Sequence, residues 1–252
     1  MSAVAGVATR REYPNPPIVE VVCQVAFAEP VHWSAASPGL LYGEIRGEYP
    51  AEPKAQTAIE AEINGETSNF QVARGAQRFV YSNDEQNRRL VANESHLSVN
   101  ALAPDYEQWD SLAERFQRAM SSFERAIAKF TPKTVSLRYI NKIVVPSREV
   151  NLSTYFTVPI VVSHREGATL TNFVSRSQSL APDGVGITVT FGSAVGHEAD
   201  NESAFILDID LDVAAPADAD FDRLCALAAE LHRWENNEFE SSITAKCREL
   251  FE

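Results

Sequence analysis

The stretch Trp109-Asp110-Ser111-Leu112-Ala113-Glu114-Arg115-Phe116-Gln117-Arg118-Ala119-Met120-Ser121-Ser122-Phe123, with its continuation to Phe130, decides how the fold is read. Trp109, Leu112, Phe116, Met120, Phe123, Ile127 and Phe130 recur at steps of three and four, which draws one broad apolar stripe on a helix of period 3.6. The pattern predicts a helix over 105–130. Asp105 is the expected N-cap, and Glu107 and Asp110 sit where the positive end of the helix dipole favours anions. Lys129 belongs to the last turn, and Pro132, which lacks a donor, stops the helix. Burying each large apolar side chain is worth roughly 1.5–3 kcal/mol, so seven of them supply much of a core. A seam for a partner helix is the alternative use of such a stripe.

Immediately downstream, Leu137, Tyr139, Asn141 and Ile143 alternate with Arg138, Ile140, Lys142 and Val144, the period-two signature of a strand. Upstream, Tyr13-Pro14-Asn15-Pro16-Pro17 gives an extended entry to a β-branched strand over 18–27. A short amphipathic helix over 38–47 and a polar stretch over 51–67 follow. Short strands are then expected at 70–73, 78–81, 88–92 and 97–102, spaced as in an antiparallel meander. His96, Ser98 and Asn100 fall on the polar face of the last of them.

Downstream of 134 the same order returns. A short turn or helix begins at Asn151 and Ser153, strands are expected at 158–163, 168–175, 186–191 and 204–213, and a helix starts near Asp218 or Asp220. Its phase slips near Asn236-Asn237, which predicts a kink or two consecutive helices. The whole reads as α+β, in two similar halves over 13–132 and 133–252. Each half is strand, short helix, strands and long helix, with the helix covering an antiparallel sheet, and residues 1–12 form a disordered leader.

The chain carries a net charge of −13. Residues 183–240 hold fourteen acidic side chains against Arg223 and Arg233, so nearly all of that charge lies in one segment. Such a field disfavours nucleic acid and acidic membrane surfaces and attracts a basic protein partner. No apolar run is long enough to span a bilayer and no secretory signal opens the chain, so a soluble cytoplasmic protein is expected. Cys23, Cys225 and Cys247 are odd in number and widely spaced, which argues against a disulfide framework or a zinc site.

Chemistry has few candidates. Asp208, Asp210 and Asp212 share one face of a strand, with Leu207, Ile209 and Leu211 on the other. Three readings are open: oxygen ligands for a hard cation as in phosphoryl-transfer or nuclease sites, a solvated face that guards a sheet edge, or pairing with Arg138 and Lys142 on a neighbouring strand. His32, His96, His164, His197 and His232 show no metal-ligand spacing. No nucleophile elbow, Walker loop or dinucleotide fingerprint occurs, because Gly184-Val185-Gly186 leads into a strand. No cofactor is expected. Glu20, Arg138 and Asn141 sit in otherwise apolar strands, where a buried charge needs a partner; a Glu20–Arg138 pair is the expected one.

Four stretches carry a resemblance. Tyr13-Pro14-Asn15-Pro16-Pro17-Ile18-Val19-Glu20, Tyr106-Glu107-Gln108-Trp109, Leu137-Arg138-Tyr139-Ile140-Asn141 and Leu231-His232 through Phe239-Glu240 and Ile243-Thr244 resemble, in order, the landmarks of a sporadically distributed prokaryotic family of unknown function. That resemblance implies no catalytic residue or cofactor. The family's patchy distribution implies carriage on mobile elements, among toxin–antitoxin and defence components.

Overall fold

The computed structural model describes residues 11–64, 69–104, 106–160, 170–194 and 201–252, with the backbone alone over 58–64 and 69–76. Among the described residues it is mixed α+β, a nine-stranded antiparallel sheet with five helices. In chain order the elements are β1 (Ile18–Phe27), α1 (Ser37–Ile45), β2 (Lys54–Asn64), β3 (Asn69–Ser82), β4 (Arg88–Ala92), β5 (His96–Leu102) and α2 (Trp109–Ala126). There follow β6 (Pro132–Val145), α3 (Leu152–Tyr155), β7 (Val174–Leu180), β8 (Gly186–Ser193), β9 (Ser203–Ala214), α4 (Phe221–Ser242) and α5 (Ala245–Arg248). The strands lie in the order β2-β3-β4-β5-β1-β6-β9-β8-β7. The chain divides into two compact units: one takes residues up to Val21, Ser136–Ala214 and Leu227–Glu252, the other Val22–Val135 and Ala215–Ala226.

In the second of these units the apolar stripe of α2 is core. Leu112, Phe116, Met120 and Phe123 are inaccessible to solvent, and Trp109 nearly so. The helix is shorter than its sequence pattern predicts. Gln108 occupies the N-cap without a side-chain bond, and Asp105 lies outside the described residues. At the other end the helix stops at Ala126. Phe130 leaves it to stack on Phe27, with ring centroids 4.5 Å apart, so tertiary packing takes the last expected turn. Lys129 accordingly falls beyond the helix.

The stretch over 54–64, read as polar and without an element, is β2, paired antiparallel with a β3 that runs unbroken through Gly75 where two short strands were expected. In the other unit the strand expected at 158–163 does not form over 158–160, where Pro159 cannot donate to a ladder, and 161–163 lies outside the described residues. Its successor falls later than predicted, at Val174–Leu180 and not 168–175. Helix α4 continues through Asn236-Asn237, where Asn236 Nδ2 donates to the His232 carbonyl at 2.7 Å; the break comes at Ile243-Thr244, and Thr244 caps α5. The β-patterns at 137–143, 186–191 and 204–213 are observed as read, and Asn151 caps α3 by accepting from the Ser153 amide.

Candidate functional site

Strand β9 alternates as its sequence dictates. Leu207, Ile209 and Leu211 are fully buried, Asp208 and Asp210 are partly accessible, and Asp212 is exposed. The register with β8 sets Thr190 opposite Asp208, Thr188 opposite Asp210 and Gly186 opposite Asp212. The next register sets Arg176 opposite Thr190 and Gln178 opposite Thr188. Because directly opposed residues share a face, the polar side chains of three strands form continuous rows. A Cβ at Gly186 would lie 2.6 Å from Asp212 Oδ1, so glycine there leaves room for that carboxylate.

The three aspartates are not equivalent. Asp208 accepts two parallel bonds from Arg138 of β6, Nε to Oδ1 at 2.8 Å and Nη2 to Oδ2 at 2.7 Å, the fork geometry that suits guanidinium to carboxylate. Glu20 adds a weaker attraction to the same guanidinium. Asp210 titrates above the ordinary carboxylate value: burial is the main cause, Arg138 opposes it, Asp208 and Asp212 add to it, and Arg176 opposes. Asp210 therefore takes up a proton more readily than a free aspartate does. Among the described residues no three His, Cys, Asp or Glu side chains converge as a metal site. The arrangement is a row of carboxylates with one member held by arginine, able to meet cationic groups along its length.

Asn141, buried beside that strand, donates to the Leu207 carbonyl at 3.2 Å, so it serves a backbone acceptor and not the Arg138 charge.

Two further polar clusters escaped the sequence reading. In the unit holding α2, Arg115 is wholly buried and donates to Glu107, to Tyr49 Oη at 2.8 Å, to the Asn100 carbonyl at 2.9 Å and to the Arg89 carbonyl at 3.2 Å. Burial opposes its charge, and Tyr49 and Glu107 more than offset that. Glu107 was read as a dipole-favoured anion; it is an ion-pair partner that also accepts from Ser111. The signal was present, since Arg115 lies three residues after Leu112, on the inward side of the stripe.

In the other unit, stretches that carry the family resemblance come together. Tyr13 donates to Glu240 at 2.5 Å, Arg248 donates to the same carboxylate at 2.7 Å, and Tyr139 stacks on His232 with a hydroxyl–Nδ1 contact of 3.1 Å. Burial, then the bond to Glu240, pushes the Tyr13 hydroxyl up to about 12. Glu235, 3% exposed, is pushed up to about 8 by burial first and by Glu240 second. Within the acidic segment, Asp208 and Glu240 are therefore held by arginines and Glu235 is buried.

Cys23 and Cys247 are buried, and burial raises all three thiols, which makes each a poor nucleophile. An open depression of about 440 Å³ is lined by Val31, Trp33, Gln77, Phe79 and Glu94. Among the described residues no helix is long and apolar enough to cross a membrane. No protein-family model matches the chain, and no curated protein matches it.

Proposed function

We propose that the protein is a non-catalytic binding component, of an antitoxin, immunity or defence-associated kind, that engages a basic protein through its acidic C-terminal half in the cytoplasm. One observation carries this reading: Asp208, Asp210 and Asp212 line one face of β9, and of the two arginines near that row, Arg138 forks onto Asp208 while Arg176 adds only a weaker attraction to Asp210. Unsatisfied negative potential along a strand face draws in a cationic surface and speeds its approach. The family resemblance, which brings no catalytic residue, supports the same reading. We propose besides that the chain is built of two similar halves, a reading supported by the order strand, short helix, strands and long helix met twice along it.

The decisive experiment is co-purification from the native host at low and then high ionic strength, with Asp210→Asn/Asp212→Asn alongside. A basic partner is retained by the parent chain, released as salt rises and lost from the variant. Retention indifferent to both overturns the reading. The metal-dependent alternative predicts Mg²⁺ or Mn²⁺ binding that vanishes with Asp210→Asn, measured by calorimetry. A small-ligand sensor is favoured only by the aromatic wall of Trp33 and Phe79 in the open depression.

A further inference from the structure

Strand β7 ends the sheet order, and among the described residues no strand pairs with its outer edge. Edges of this kind are usually guarded by lysine, proline, a bulge or an inward-pointing charge. The sequence Val174-Ser175-Arg176-Ser177-Gln178-Ser179-Leu180 carries one charge, Arg176, but no lysine, no proline and an unbroken register with β8. It also carries the two most exposed large apolar residues described, Val174 at 74% and Leu180 at 75%.

The direction of each backbone group can be worked out. Ser193 N donates to the Phe173 carbonyl at 3.0 Å, and Ala181 N donates to the Val185 carbonyl at 2.9 Å. Bonded and non-bonded pairs alternate along an antiparallel ladder. Residues 175, 177 and 179 therefore spend their backbone groups on β8. Val174, Arg176, Gln178 and Leu180 turn theirs outward, and their side chains share one face.

We infer that this edge is a self-association surface, at which β7 pairs antiparallel with β7 of a second copy of the chain about a two-fold axis at Ser177. A two-fold operation on one edge generates an antiparallel pair and a closed, isologous interface. Centred on Ser177, it matches Val174 with the copy's Leu180 and Arg176 with the copy's Gln178, and every outward N–H and C=O of the strand meets a partner. The two exposed apolar side chains then cover one another. Sliding the axis to Arg176 sets arginine against arginine and leaves residues unpaired, which fixes the register. This self-matching of apolar ends and avoidance of like charge selects a second copy over an unrelated strand.

The test uses the full chain in sedimentation velocity over a range of concentrations. The parent chain is expected to form a dimer. Gln178→Pro removes only an outward donor, and because symmetry counts the loss twice it raises the dimer dissociation constant at least about tenfold. Circular dichroism verifies that this variant stays folded. Val174→Lys/Leu180→Lys opposes like charges and dissociates the dimer independently of proline, whereas Val174→Glu/Leu180→Lys restores it. The register is read by oxidation: Ser177→Cys links two chains, while Ser175→Cys, displaced from its copy by several residues, does not exceed the parent chain. A monomeric parent chain at all concentrations overturns the inference, as does a dimer that survives the like-charge variant or cross-links equally through residues 175 and 177.

Discussion

Arg115 reaches the carboxylate of Glu107 through two of its nitrogens although the arginine is fully buried and the glutamate nearly so. Seven residues separate them, and the helix that carries Arg115 inward begins just after Glu107. Removing one charge from a buried pair leaves the other without solvent or partner, a loss of roughly 3–5 kcal/mol. Arg115→Met is expected to lower unfolding stability by that much in urea titration. Arg115→Met/Glu107→Leu recovers part of it and not all, because the Asn100 and Arg89 carbonyls still lose their donor.

The pH dependence of stability follows from Glu235. Its folded pKa of about 8 lies above the ordinary 4.5, so the folded chain retains a proton that the unfolded chain has released. Stability is whole below the lower value, falls as pH rises through the window and levels off above the upper one. The decline attributable to this carboxyl is roughly 3–5 kcal/mol. Denaturation midpoints of Glu235→Gln between pH 5 and 9 are expected to be flatter than those of the parent chain; an identical slope refutes the assignment.

Arg138 of β6 and Asp208 of β9 meet because the two strands are neighbours in the sheet. Arg138 is about half accessible, so solvent reduces the worth of the pair to roughly 0.5–1 kcal/mol. A double-mutant cycle with Arg138→Ala and Asp208→Ala is expected to return a coupling of that size. The same cycle between Arg138 and Glu20 returns less, since Asp208 takes the guanidinium fork.

Two glycines near the carboxylate row respond differently to alanine. Gly184 turns β7 into β8 at φ +87°, and Gly184→Ala is expected to cost about 1 kcal/mol although open space surrounds it. Gly186→Ala meets the far end of an exposed aspartate side chain, which can rotate away, so it costs less than half as much. Thermal melts of the two variants distinguish backbone strain from crowding.

Much of the fold was legible wherever apolar residues repeat with a definite period. The parities of β6, β8 and β9 and the stripe of α2 belong to this class, because each element hides one face. Strand β7 was displaced in the reading because Ser175, Ser177 and Ser179 hide little and Arg176 and Gln178 hide nothing; the strand exists through its ladder to β8. The last turn of α2 was over-read because Phe130 satisfies the helical period while packing against Phe27 from outside the helix. At the site, the shared face of Asp208, Asp210 and Asp212 was evident from their spacing of two. Which of them meets Arg138 depends on strand order, a non-local fact. Arg115 went unread because a cation between apolar helix positions looks like a surface residue until its partners are known.

Asn15 donates its amide to the Phe251 carbonyl, and the ring of Tyr13 rests edge-on against Phe251. A chain that stops before Phe251 would therefore unfasten residues 13–17 as well. Pro17 accepts from Lys142, so the loosening would pass into the first rung of β1 against β6. Truncation before Phe251 should then speed amide exchange around Ile18, more than two hundred residues away in sequence.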